Sequence, residues 1–313
     1  MINRRFENLD LTNDQLYTMW HTLFMECYIP DEGILDLKDV TNAEVQSILK
    51  FLPQFPEINK IKTLDISHRA CHTNPNCIAD IIKLNIPSLT HLKLICCALY
   101  NNSIKNIANA LKNNTTVMYL DISLNPFNDE GSQYIAEMLK NNSHLKHLIL
   151  YQNTDVGNGW VDLADALKRN QTLEKLDLSS NYVELIPLLQ ALQTNVSLTH
   201  LELSGININI KYSEVQHILS LLAHNTTLLS IDLPNYLQKR VKEMFFEVHP
   251  QIAAKFLRVT GVHINITVSS LASLSLFAIK NEALHNETFR AKLNTLPKEL
   301  EEKLHMENTS LQF

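Results

Sequence analysis

The run Val117-Met118-Tyr119-Leu120-Asp121-Ile122-Ser123-Leu124-Asn125 returns 28 residues later as Leu145-Lys146-His147-Leu148-Ile149-Leu150-Tyr151-Gln152-Asn153. Both carry apolar side chains at the first, fourth and sixth positions and Asn at the ninth. The fourth and sixth positions lie two residues apart, so they share one face of a strand, and the residues on either side of the fourth point to the other face. Outward from this pair, the apolar-x-x-apolar-x-apolar pattern also starts at Ile61, Leu89, Leu173, Leu198 and Leu228. The seven starts are spaced 28, 28, 28, 28, 25 and 30 residues apart. Weaker copies start at Phe6, Glu32 and Val259. Self-similarity at this period means stacked units, none of which can bury its apolar face alone.

The segment between strands repeats as well. Ile104, Ile107, Ala108 and Leu111 have counterparts in Ile135, Ala136 and Leu139, and in Trp160, Leu163, Ala164 and Leu167. Leu185, Leu188, Leu189 and Leu192 follow, then Val215, Ile218, Leu219 and Leu222. This spacing of i, i+3, i+4, i+7 is one face of an α-helix. Trp160 in that register is a packing residue. Three residues before a strand pattern stands Asn114, Asn142, Asn170, Asn195 or Asn225. Asn tolerates the left-handed conformation that closes helices, so the column is expected to form helix C-caps. At the ninth position Asn125, Asn153 and Asn181, with Cys97 in register, can bond backbone groups left unpaired as the chain leaves the strand. Each unit is a strand, a turn, a helix and a capped return. The fold class is α/β: a solenoid with a parallel sheet inside and helices outside.

With the core L-x-x-L-x-L-x-x-N/C and a helical second half, the units resemble leucine-rich repeats of the ribonuclease-inhibitor type. The resemblance departs at Arg69, Ile206 and Tyr236, which stand where Asn or Cys belongs. It implies a horseshoe that binds proteins through its concave sheet. The expected organisation is an N-terminal cap over residues 1–31, repeats over 32–235, a C-terminal cap over 236–296 and a polar tail over 297–313. Within the N-terminal cap, residues 13–29 read as an amphipathic helix with Leu16, Trp20, Leu23, Phe24 and Cys27 on one face. Past residue 235 the reading is a helix over 236–248 ended by Pro250, an apolar strand over 259–268 and a helix over 270–290.

Composition narrows the function. The chain of 313 residues is 45% hydrophobic and carries 27 basic against 33 acidic side chains. A net charge of −6 argues against a nucleic-acid surface, which needs a basic field. No apolar run reaches the roughly 18 residues of a membrane span. The first residues carry no apolar stretch of a secretory signal. Five cysteines, Cys27, Cys71, Cys77, Cys96 and Cys97, are an odd number that suits reduced thiols in a cytoplasm. The cluster of Cys71, His72 and Cys77 lacks the CxxC pair of a structural zinc site, so neither metal nor cofactor is expected. No nucleophile elbow, P-loop or HExxH motif occurs, so no catalytic residue is assigned and the chain is read as a non-enzyme.

Candidate site residues follow from strand alternation. One outward column reads Asp36, Asp65, Lys93, Asp121, Ile149, Asp177, Glu202, Asp232, and its neighbour reads Thr63, His91, Tyr119, His147, Lys175, His200, Ser230. Partner binding is assigned to Asp65, His91, Lys93, Tyr119, Asp121, His147, Tyr151, Lys175, Asp177, His200, Glu202 and Asp232. Tyr119 and Tyr151 are expected to be exposed anchors. Asp177, Glu202 and Asp232 fall on successive strands about 4.8 Å apart, a row of like charges that a basic partner would relieve. His91, His147 and His200 alternate with other strands at roughly 10 Å, too far to share a metal but placed to change the face's charge near neutral pH. The tail, with Glu299, Glu301, Glu302 and Leu311, is similar to the C-terminal export signals of type IV-secreted effectors of intracellular bacterial pathogens. That resemblance implies a monomeric effector delivered to the host cytosol to grip a host protein. Two rivals, a GTPase-activating protein of leucine-rich-repeat type and an adaptor recruiting a ubiquitin ligase, find no residue pattern that singles them out.

Overall fold

The computed structural model describes residues 12–68, 76–153, 159–206, 218, 221, 225 and 227–237. The helices are α1 (Asn13–Cys27), α2 (Asn42–Phe51), α3 (Asn76–Lys83), α4 (Asn101–Leu111), α5 (Asp129–Asn141), α6 (Gly159–Arg169) and α7 (Leu185–Leu192). The strands are β1 (Tyr28–Ile29), β2 (Ile34–Asp36), β3 (Thr63–Asp65), β4 (His91–Lys93), β5 (Tyr119–Asp121), β6 (His147–Ile149), β7 (Lys175–Asp177), β8 (His200–Glu202) and β9 (Ser230–Asp232). All nine form one sheet in sequence order, parallel from β2 onward, with β1 antiparallel to β2.

Register follows the repeat. Leu64 lies opposite Leu92, Leu92 opposite Leu120, and Leu120 opposite Leu148. These middle residues and the apolar residues two positions beyond them are buried, as are the helix faces that cover them. Ile104, Ile107, Ala108 and Leu111 of α4 and Trp160, Leu163, Ala164 and Leu167 of α6 all sit in the one continuous core. Strands stack about 4.8 Å apart, whereas packed helices need about 8–10 Å. With one of each per repeat, the layers can stay in register only if the sheet lies on the inside of a curve. The architecture is a leucine-rich-repeat solenoid with a concave parallel sheet and convex helices.

Two asparagine ladders hold the turns. At the helix-to-strand return, Asn114, Asn142, Asn170, Asn195 and Asn225 are buried. Asn142 Oδ1 accepts the N–H groups of His144 and Leu145 at 2.9 and 2.7 Å, while its Nδ2 donates to the Leu111 carbonyl at 2.6 Å. Asn114, Asn170 and Asn195 repeat this, reaching back to Ile82, Leu139 and Leu167. The expected left-handed caps are therefore corrected: Asn142, the C-cap of α5, is extended at φ −79° and ψ 130°. Each side chain instead closes the helix of the preceding repeat. Where the column holds Ile86 in place of Asn, the neighbouring Asn85 takes the left-handed form at φ 47°.

The second ladder runs along the strand exits. Asn125 Oδ1 accepts from Cys97 and Leu99 N–H, and its Nδ2 donates to Leu94, Ile122 and Ser123 carbonyls. Asn153 accepts from Asn125 N–H at 2.8 Å and Asn181 from Asn153 N–H at 2.9 Å. Cys97 takes the place of Asn by turning its thiol to the Ile66 carbonyl at 3.1 Å. Left-handed residues sit one position before this ladder, at His68, Cys96, Leu124, Gln152, Ser180 and Gly205.

At the N-terminal end, α1 starts from a capping box of Thr12 and Gln15. Leu23 and Phe24 are buried, and Tyr17, Trp20 and Cys27 pack partly against the core. Phe24 meets Tyr28 and Phe55 with ring centroids 5.3 and 5.0 Å apart. The copies expected at Phe6 and Val259, Arg69, Cys71, His72, the helix face of Val215, Leu219 and Leu222, the helices over 236–248 and 270–290 and the polar tail lie wholly or largely outside the described residues.

Removing a rung should cost more than removing a surface contact. Asn142→Ala strands the buried Leu111 carbonyl, the buried Leu145 N–H and the half-buried His144 N–H, and should lower unfolding free energy by about 3 kcal/mol in urea titration; a loss below about 1 kcal/mol would show that solvent takes over the rung. Gln152, exposed at φ 50°, should tell the opposite story. Gln152→Gly should raise stability by about 0.5–1 kcal/mol, and a decrease would refute strain at that position.

Candidate functional site

Alternation about the buried middle residue of each strand sends its first and third side chains to the concave surface. The register aligns Thr63, His91, Tyr119, His147, Lys175, His200 and Ser230 in one row. Asp36, Asp65, Lys93, Asp121, Ile149, Asp177, Glu202 and Asp232 form the other. Eleven of the twelve assigned residues fall in these rows. Tyr151 lies beyond them, two residues past β6, with its side chain exposed.

The first row centres on stacked rings. His91 and Tyr119 are nearly parallel, with centroids 5.3 Å apart and planes at 24°. His147 meets the other side of Tyr119 edge-on at 6.0 Å. Tyr119 is thus a half-buried member of a ladder and less exposed than its position suggested. Its hydroxyl points to Asp121 Oδ2 at 3.4 Å. Burial, followed by the Asp121 charge, pushes the Tyr119 phenol up to about 12. Burial, then Lys93 and His147, hold His91 below the usual imidazole value.

The second row contains carboxylates that accept backbone N–H groups at the strand exit and carboxylates bonded to side chains. Asp36, Asp65, Asp121 and Asp177 each accept the N–H two residues on, at 3.0, 3.1, 3.0 and 2.8 Å. These bonds shape the strand exit, and Asp65 and Asp121 are buried. Lys38 bridges Asp36 and Asp65 at 2.9 and 3.5 Å. The expected acidic row of Asp177, Glu202 and Asp232 is present on β7, β8 and β9. It is partly compensated, because Lys175 pairs with Glu202 at 2.5 Å and the Ser204 hydroxyl donates to Asp232. Asp177 is pushed above the ordinary carboxylate range by burial and by Glu202, against the pull of its Ser179 hydrogen bonds.

The ladder places His91, His147 and His200 on alternate strands β4, β6 and β8. Among the described residues no group of His, Cys, Asp or Glu is placed to hold a metal ion. No described helix is long and apolar enough to cross a membrane. Sequence reasoning passed over Met118 and Leu229, which are 45% and 60% exposed where the strand begins. The signal was available: other repeats put Lys62, Thr90, Lys146, Glu174 or Thr199 at that position. On the strand-exit side, Cys96, Ala98, Leu124, Pro126 and Gln152 line a shallow groove of about 340 Å³.

A family model described as a leucine-rich repeat matches residues 113–136 and 169–183. No curated protein sequence matches the chain. Among solved structures the chain is similar to the actin-binding site 2 of leiomodin-1, at 22% identity and TM-score 0.40 over 55% of this chain and 96% of that one. It is also similar to the leucine-rich-repeat-containing protein LegL7 from Legionella pneumophila, at 16% identity and TM-score 0.46 over 72% of this chain and 79% of that one. A third is the tropomodulin C-terminal domain from Caenorhabditis elegans, at 12% identity and TM-score 0.34 over 59% and 95%.

The state of His91 gives a sign to the pH dependence of stability. Its folded value is depressed, so its contribution is complete above the ordinary value of about 6.5 and is lost as pH falls through the folded value. Between about pH 7.5 and 5, His91→Gln should flatten the stability profile measured by chemical denaturation. A steeper profile would mean that the imidazolium is favoured in the folded state.

Proposed function

We propose that this protein is a non-enzymatic recognition module, an effector that holds a basic surface of a host protein against its concave sheet. The observation that carries the proposal is the pair of outward rows on eight parallel strands, with rings at β4–β6 and carboxylates at β7–β9. Leucine-rich repeats are protein-binding scaffolds, and their function resides in the surface they display. Support for the partner's sign comes from Asp177, Glu202 and Asp232, which outnumber Lys175 on the last three strands. Support for an effector delivered by type IV secretion comes from sequence alone, in Glu299, Glu301, Glu302 and Leu311. The proposed site of action is the host cytosol.

The test must remove charge without removing the strand-exit hydrogen bonds. Asp177→Asn, Glu202→Gln and Asp232→Asn together keep an acceptor at each position. In affinity capture from eukaryotic lysate, one protein should be held by the wild type and lost by the triple variant, with a fall of about tenfold or more in affinity. Most of that fall should lie in the association rate and shrink with added salt. Equal capture by both proteins would move the site off the concave face.

A further inference from the structure

We infer that the concave face releases its basic partner on acidification, with His91, His147 and His200 as the groups that take up the protons. This rests on the concave-face proposal above and adds its regulation. The geometry has two parts. The three imidazoles share one row on β4, β6 and β8, and the adjacent row carries carboxylates on the strands that flank them, β3, β5, β7 and β9, and on β8 itself. The two rows from β2 to β9 contain six carboxylates, two lysines and three histidines. Their net charge is −4 with neutral imidazoles and −1 with all three protonated.

The surroundings of each ring set the response. His91 faces Tyr119 across β5 and Thr63 across β3, with Lys93 on its own strand, Asp65 and Asp121 in the adjacent row, and the Thr90 hydroxyl at 2.8 Å from Nδ1. His147 stands between Tyr119 and Lys175, beside Ile149, flanked in the other row by Asp121 and Asp177. Lys146 and Glu174, paired at 2.8 Å, border it where the strands begin. His200 stands between Lys175 and Ser230, with Glu202 on its strand, Asp177 and Asp232 to either side, and Thr199 Oγ1 at 2.8 Å from Nδ1. Protonating His147 and His200 puts a cation on both sides of Lys175, which Glu202 already binds. The acidic half then has little negative charge left to offer a basic surface. Burial, Lys93 and His147 hold the His91 imidazole below its usual value, and burial beside Glu202 holds Asp177 above the usual carboxylate range.

A nona-arginine peptide with rhodamine coupled to its α-amino group tests this, since with that amine blocked neither dye nor peptide titrates in the range used. Fluorescence anisotropy with the full chain at low, constant ionic strength should show affinity falling about tenfold from about pH 7.5 to about pH 5.5. The variant His91→Gln/His147→Gln/His200→Gln should change less than about twofold over that interval, whatever its starting affinity. Should the triple variant fail to fold, His147→Gln/His200→Gln should lose most of the response. A wild type with pH-independent binding, or a histidine variant that keeps the full drop, overturns acid release and leaves the concave-face proposal standing. Absent binding at about pH 7.5, or binding unaffected by Asp177→Asn/Glu202→Gln/Asp232→Asn, removes the concave-face proposal and acid release with it.

Discussion

Each repeat turns its chain twice, and each turn leaves backbone groups that no strand or helix ladder can pair. The two asparagine ladders take them up. An amide side chain suits this because it accepts and donates at once, so one residue can satisfy N–H groups of its own repeat and a carbonyl of the repeat before. The repeats therefore depend on their neighbours for polar satisfaction as well as for apolar burial. This explains how spacing can vary from 25 to 30 residues near the C-terminal end while Asn195 and Asn225 stay in place. In the 25-residue unit the shortening falls in the helical half, where α7 has 8 residues against 11 in α6. The strand-exit ladder stops where Ile206, buried at 2%, replaces Asn and has no amide to offer.

How much of this could be read beforehand depends on whether a feature is local. The strands were legible because apolar period and strand geometry are the same fact, and every pattern from Ile61 to Leu228 became a strand with its middle residue buried. The helix faces of α4, α5, α6 and α7 were legible for the same reason. The Asn114 column was located correctly but given the wrong conformation, because its partners lie in the preceding repeat, some 30 residues back. Left-handed geometry fell one position before the other ladder, on Cys96, Leu124, Gln152 and Ser180, whose side chains give no hint of it. Only Gly205 in that column advertises its backbone.

The candidate site shows the same division. Alternation was enough to place His91, Tyr119, His147, Lys175, His200 and Glu202 on one surface. It could not separate carboxylates that shape a turn from those that face solvent, since both are Asp at the same repeat position. Asp65 and Asp121 are buried and bonded to Ser67 and Ser123, whereas Asp232 is exposed on the last described strand. Nor could it foresee that Lys175 would reach diagonally to Glu202, a contact between strands that depends on rotamers as well as register.

These constraints together assign different work to the two halves of the sheet. Toward the N-terminal end, Lys38 bridges Asp36 and Asp65, and Tyr119 is wedged between two imidazoles, so polar groups there are largely occupied with one another. Toward the C-terminal end, carboxylates accumulate faster than cations. Burial of Asp177 beside Glu202 raises the free energy of its charged form, which is what an upward shift in its titration means. A cation brought to that end would favour the charged form again, the electrostatic basis of the basic partner proposed above.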